Sequence, residues 1–202
     1  MDSAQPKKTP PKAFQKKERK IPKRITADYL RNSGLYYLQR FAASRAGFEK
    51  VMLRKVKKSC HHHTDQNYQD CVLMVRAVAD DFERAGLLND PVFARGLATS
   101  LRRAGKSSKA VRYKMTLKGL PDEIAEHALR THDEEHHANT TEADIKAAVI
   151  LARRKKMGPF APADHDKTER MIATLARAGF SYGIAQKILS MNLSDAEEIL
   201  ES

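Results

Sequence analysis

The sequence predicts an all-α fold: an elongated array of three tandem three-helix repeats behind a disordered basic N-terminal arm. Composition is the first ground. Of 202 residues, 41% are hydrophobic but only 6% aromatic, with no Trp, and 31% are charged. Ala, Leu, Lys, Arg and Glu fill the periodic stretches, which is helix-forming rather than strand-forming chemistry. The second ground is spacing: apolar residues recur three and four apart between residues that cap helices. The third is an internal repeat of a helix–turn–helix junction.

Residues 1–25 hold four prolines and nine Lys/Arg against Asp2 and Glu18, with little to bury. Such a segment cannot recover its ordering entropy, so it reads as a disordered arm. From Thr26, an N-cap, Leu30, Leu35, Leu38 and Phe41 mark a first helix. Ser44 caps a second, with Phe48, Met52 and Val56 inward and Lys50, Arg54, Lys57 and Lys58 outward. The polar run Cys60–Cys71 (CHHHTDQNYQDC) reads as a loop. A third helix covers about 72–84, with Val75, Val78 and Phe82 on one stripe. Gly86 stops it, and Asn89-Asp90-Pro91 opens the next with a cap and an early proline.

That helix covers about 91–104, and after Gly105 another runs from Ser107 or Ser108 to Lys118. Gly119 ends it, and Pro121-Asp122-Glu123 starts a short helix to about Leu129. The His- and acid-rich stretch 132–140 reads as a linker. Thr141 caps a helix to about Lys156, closed by Gly158-Pro159. Two more, about 165–178 and 182–191, flank Gly179-Phe180-Ser181, and Asp195–Leu200 adds a last turn within the tail 193–202.

The repeat emerges when KGLPDEIAEHAL, from Lys118, is laid against AGFSYGIAQKIL, from Ala178. Gly119 matches Gly179, Leu120 matches Phe180, Ile124-Ala125 matches Ile184-Ala185, and Leu129 matches Leu189. A glycine takes the left-handed cap, the apolar residue after it packs back on the finished helix, and a new helix starts. Units too small to bury a core alone stack in arrays. The units are placed at 26–89, 90–131 and 141–192, with Leu88, Phe93, Leu117, Leu120, Phe180 and Leu189 expected in the core.

The formal net charge of +12 is concentrated in blocks. Beyond the arm, residues 45–58 carry six cations against Glu49. The stretch 102–118 carries seven and no acid, and Arg153, Arg154, Lys155 and Lys156 form a further run. Separated positive blocks along a slender body suit an acidic or polyanionic polymer better than a small molecule. Two cysteines make no disulfide framework. With no apolar run near the roughly 20 residues of a membrane span, and no signal peptide, a soluble, cytoplasmic monomer is expected.

The stretch FERAGLLNDPVFARGLATSLRRAGKSSKAVRYKMTLKGLPDEIAEHAL, followed by LARAGFSYGIAQKIL, resembles the RecX family of bacterial recombinase regulators. The likeness rests on Leu88, Asn89, Asp90, Phe93 and Ala94; on Arg102, Arg103, Gly105 and Lys106; on Lys118, Gly119 and Leu120; and on Gly179, Phe180, Ser181 and Tyr182. It is strongest over about 82–129 and extends more weakly over about 30–190. The basic proline arm and the His-rich stretch 60–71 are not usual features of that family. The resemblance implies three tandem three-helix repeats in a curved molecule that binds RecA and lies in the groove of the RecA–single-stranded-DNA filament. There it modulates, usually downward, ATPase and strand exchange. On that reading Arg102, Arg103, Lys106, Lys109, Arg112 and Lys114 are expected filament contacts, with Arg54, Lys55, Lys57 and Lys58 as a second set. Weak non-specific DNA binding is also expected.

No catalytic constellation is legible: the sequence has no phosphate-binding G-x-x-x-x-G-K-[ST] loop, no G-x-S-x-G elbow and no HExxH. The chain is expected to be no enzyme and to need no cofactor. Cys60, His61, His62, His63 and Cys71 include too many adjacent ligands to converge on one tetrahedral ion, so a metal site is not expected. Two rival classes remain. One is a direct DNA-binding helix-turn-helix protein, since three-helix units with basic second helices look alike. The other is a metal-dependent nuclease using the histidines.

Overall fold

The computed structural model describes residues 21–162 and 168–201. Among them are ten α-helices: α1 (Ala27–Leu38), α2 (Arg45–His62), α3 (Tyr68–Arg84), α4 (Asp90–Arg103), α5 (Ser108–Leu117), α6 (Asp122–His136), α7 (Thr140–Lys155), α8 (Thr168–Arg177), α9 (Tyr182–Ser190) and α10 (Leu193–Glu201). A single 3-10 turn, Gly158–Phe160, follows α7. The fold is an all-α elongated array. No helix among the described residues is long and apolar enough to cross a membrane.

Helix starts follow side-chain chemistry. Thr26, Ser44, Asn67, Asn89, Ser107, Asn139 and Ser181 each accept a hydrogen bond from a first-turn amide, satisfying a donor that the helix leaves orphaned. The ends of α3, α4, α5, α7 and α8 use left-handed residues. After Gly119 the Leu120 amide reaches back to the Met115 carbonyl, 3.2 Å, and after Gly179 the Phe180 amide reaches the Leu175 carbonyl, also 3.2 Å. That is the Schellman closure expected of both turns.

Three hydrophobic clusters succeed one another along the chain. α1–α3 enclose Leu30, Phe48, Met52, Val75 and Phe82; α4–α6 enclose Ala98, Val111, Met115 and Leu129; α7–α10 enclose Val149, Leu175, Ile188 and Ala196. In the first, the rings of Phe48 and Phe82 lie 5.4 Å apart. They press on α1 so closely that a Cβ on Gly34 would sit 2.7 Å from Phe82. The last cluster takes a fourth helix, α10, where a terminal turn was expected.

Several expectations need correction. The run 60–71 is mostly helix: α2 continues to His62 and α3 begins at Tyr68, leaving 63–67 as the turn. The linker 132–140 is likewise helical through His136, because His132 and Asp133 are buried against α4. α7 is capped by Asn139 rather than Thr141, the asparagine being the better cap. Leu117 is 63% exposed, whereas Leu88, Leu120 and Phe180 are buried and Phe93 and Leu189 half-buried. Most of the basic arm lies outside the described residues. Its last residues, 21–25, do not: Ile25 is buried in the first cluster, so the arm's boundary falls earlier than residue 25.

Candidate functional site: a cationic cleft on a stitched array

The clusters are joined by one junction used twice. At the first, the α2 cap Ser44 donates its hydroxyl to the Lys118 carbonyl, and the Arg45 amide donates to Asp90 Oδ1 at 2.7 Å. At the second, the α5 cap Ser107 donates to the Ala178 carbonyl at 2.7 Å, and the Ser108 amide donates to Asp144 Oδ1 at 2.7 Å. In each case a serine that starts a helix grips the turn around Gly119 or Gly179, and a carboxylate from the following cluster takes the next amide. The glycines permit the approach. A Cβ on Gly119 would lie 2.5 Å from the Ala46 methyl, and one on Gly179 would lie 2.6 Å from Ser107 Oγ. The repeated sequence motif is therefore the docking element between neighbours.

The second junction holds a buried ion cluster. Arg102 Nε and Nη2 donate to the two oxygens of Asp133 at 2.9 and 2.5 Å, and Nη1 donates to Asp144 at 2.5 Å and to the Lys106 carbonyl at 3.1 Å. Asp144 also accepts from the Ser108 hydroxyl at 2.8 Å. Burial opposes the Arg102 charge, but the hydrogen bonds and charges of Asp133 and Asp144 outweigh it and raise the pKa. Arg102 ties α4 to α6 and α7. At 5% exposure it is not available to a partner, so the expected contact at this position is withdrawn in favour of a structural role.

Other cations face solvent. Lys106 and Lys114 join Arg154 and Lys155 of α7 and Arg177 of α8 around one cleft, whose floor includes Gly105, Ala110 and Leu151. Tyr113 and Leu117 stand on its wall, 65% and 63% exposed. Arg154 donates to the Ala104 carbonyl at 3.2 Å, and Arg177 to the Ala173 carbonyl at 3.1 Å. Neither has a carboxylate partner among the described residues, so the cleft combines uncompensated positive charge with an aromatic and an aliphatic anchor.

The remaining expected contacts divide. Lys109 is exposed, its Cβ facing the Gly179 turn; Arg112 points to α6, where it pairs with Glu126 at 3.3 Å; Arg103 is exposed on α4. Arg54, Lys55, Lys57 and Lys58 line a second groove with Val51 and His61 along α2, and Lys55 Nζ sits 5.9 Å from the Tyr29 ring. Arg177 and Tyr113 were missed from sequence. Arg177 shares α8 with one other cation, Arg170, outside any basic run, and it reaches the cleft where the end of α8 meets the start of α5.

The chain is 38% identical over 182 residues to the regulatory protein RecX of Myxococcus xanthus, covering 88% of this chain and 94% of the relative. It belongs to the RecX family. RecX of Agrobacterium fabrum is 27% identical over 85% of the chain and 88% of the relative. The crystal structure of RecX from Lactobacillus salivarius matches with a TM-score of 0.54 at 19% identity, over 85% of this chain and 97% of that one, a likeness of fold. No family model matches the chain. As a RecX-family protein it is a non-enzymatic regulator.

Proposed function

We propose that this RecX-family chain binds RecA and lies along the RecA–single-stranded-DNA filament, lowering its ATPase and strand-exchange activities. The observation that carries the reading is the cleft of Lys106, Lys114, Arg154, Lys155 and Arg177 on an elongated body. A second cationic groove on α2 supports it. Cations held apart on a slender frame complement a repeating anionic polymer, whereas a small-molecule site would be one enclosed pocket. The three core clusters serve in this reading as three tandem three-helix modules, α10 being an addition to the last. Phosphate contacts would add a sequence-blind, salt-sensitive component and hence weak binding to free DNA.

The test is RecA filament ATPase and strand exchange at substoichiometric protein. Wild type is expected to lower both, and Lys114→Glu/Arg154→Glu to lose the effect while keeping native helicity. Wild-type protein that leaves both activities unchanged contradicts the reading. Salt-resistant binding to one duplex sequence, without RecA, would favour the helix-turn-helix class instead.

A further inference from the structure

We infer that Cys60 and Cys71 are a redox-modification site, a dithiol that a low-molecular-weight disulfide converts into an intramolecular bridge between α2 and α3. The inference goes beyond the filament reading and does not rest on it. Cys60 lies in the last turn of α2 and Cys71 in the first turn of α3, eleven residues apart in sequence, yet their Sγ atoms are 3.8 Å apart. Closing that gap to a bond of about 2.05 Å takes roughly 1.8 Å of relative sulfur movement.

The two thiols differ in access. Cys71 is 2% exposed and sealed into the first cluster, whereas Cys60 is partly exposed. Lys57, one turn earlier on α2, and Lys58 are exposed cations close to Cys60 in sequence, and their positive potential favours an anionic oxidant such as a carboxylate-bearing disulfide. Entry is therefore at Cys60. Its thiolate attacks one sulfur of the small disulfide, forming a mixed disulfide and expelling one small thiolate. The Cys71 thiolate then attacks Cys60 Sγ and expels the second. Two protein thiols are oxidised by two electrons, one small disulfide is reduced to two thiols, and the protons of Cys60 and Cys71 end on the leaving thiolates. Burial pushes the Cys71 thiol up to about 11, so ring closure quickens as pH rises.

The bridge would close a loop that holds a specific load. Within it, Gln66 exchanges two hydrogen bonds with the Ile25 backbone, at 3.0 and 2.9 Å, and His63 Nε2 meets the Pro22 carbonyl at 2.8 Å. Oxidation thus pins the turn on which the root of the basic arm is fastened.

The test treats the full chain with oxidised glutathione at pH 8, read by intact mass, thiol alkylation, non-reducing electrophoresis and thermal melting. The expected product is a monomer that has lost two hydrogens and both alkylatable thiols. Its Tm should rise by about 5 °C and return on reduction. Cys71→Ser is expected to trap a single glutathionyl adduct on Cys60, and Cys71→Ala carries the same readout where serine disturbs the core. Two thiols still alkylatable, a covalent dimer, or no trapped adduct in folded Cys71 variants would each overturn the inference.

Discussion

Arg102 shows how one residue changes meaning once its neighbours are placed. In sequence it leads an acid-free basic run, but its partners Asp133 and Asp144 are 31 and 42 residues away and converge only when α6 and α7 pack on α4. Removing the guanidinium strands two buried carboxylates. Arg102→Ala should cost about 3–5 kcal/mol in urea unfolding, whereas Arg103→Ala, on the exposed side of the same helix, should change it by less than about 0.5 kcal/mol. Equal costs would remove Arg102 from its structural role. Beside it, His132 is buried, stacked 4.5 Å from His136, with Asp133 and Arg102 facing it. Burial chiefly, with the charges of His136 and Arg102, lowers its pKa, against the opposing pull of Asp133. The unfolded chain, with a histidine near about 6.5, takes up the proton first as pH falls. The neutral imidazole's contribution is complete above that value and is lost as pH falls toward the folded pKa. Urea midpoints should therefore drop as pH falls below about 6.5, and more steeply in wild type than in His132→Gln. Parallel slopes would show that His132 is not part of the acid response.

Among the elements, the glycine turns carry the architecture. Gly86, Gly119 and Gly179 all have positive φ, but only the last two meet a neighbour, Gly86 facing open space. The same substitution therefore has two sizes. Gly86→Ala should cost about 1 kcal/mol, the left-handed backbone penalty alone, and Gly179→Ala at least about 2 kcal/mol, because the added methyl also displaces Ser107. Equal values in urea unfolding would mean that the junction is not tightly closed. This part of the fold was legible from sequence. The pairing of Gly119-Leu120 with Gly179-Phe180 marked both turns, and most caps and apolar stripes stood one or two residues from where they fall. Helix ends in polar surroundings were less legible. CHH continues α2 as far as His62, with His63 fastened to the Pro22 carbonyl just beyond it, and THDEEH continues α6 because Arg102 absorbs the Asp133 carboxylate, a group that reads locally as loop. Leu117 misled for the converse reason, since its helix turns one apolar side chain toward the cleft.

At the scale of the whole molecule, the cationic surface is an assembly of patches from distant segments. Lys106 and Lys114 were visible in a charge run. Arg154 and Lys155 belong to another run, and Arg177 joins them only through the Ser107–Ala178 junction. Charge blocks in a sequence indicate the kind of partner, whereas the packing of helices decides which cations share a face. The α2 groove with Arg54, Lys55, Lys57 and Lys58 forms a separate face on the first cluster. Reversal of charge on either should weaken a shared polymeric partner without unfolding the chain, since neither set lies in a core.

Co-sedimentation with RecA–single-stranded-DNA filaments, across a salt series, tests the central claim most directly. Wild type should pellet with filaments and release as salt rises, and Lys114→Glu/Arg154→Glu/Arg177→Glu should stay in the supernatant at low salt with native helicity. A folded triple variant that pellets as wild type does, with the same salt dependence, would contradict it.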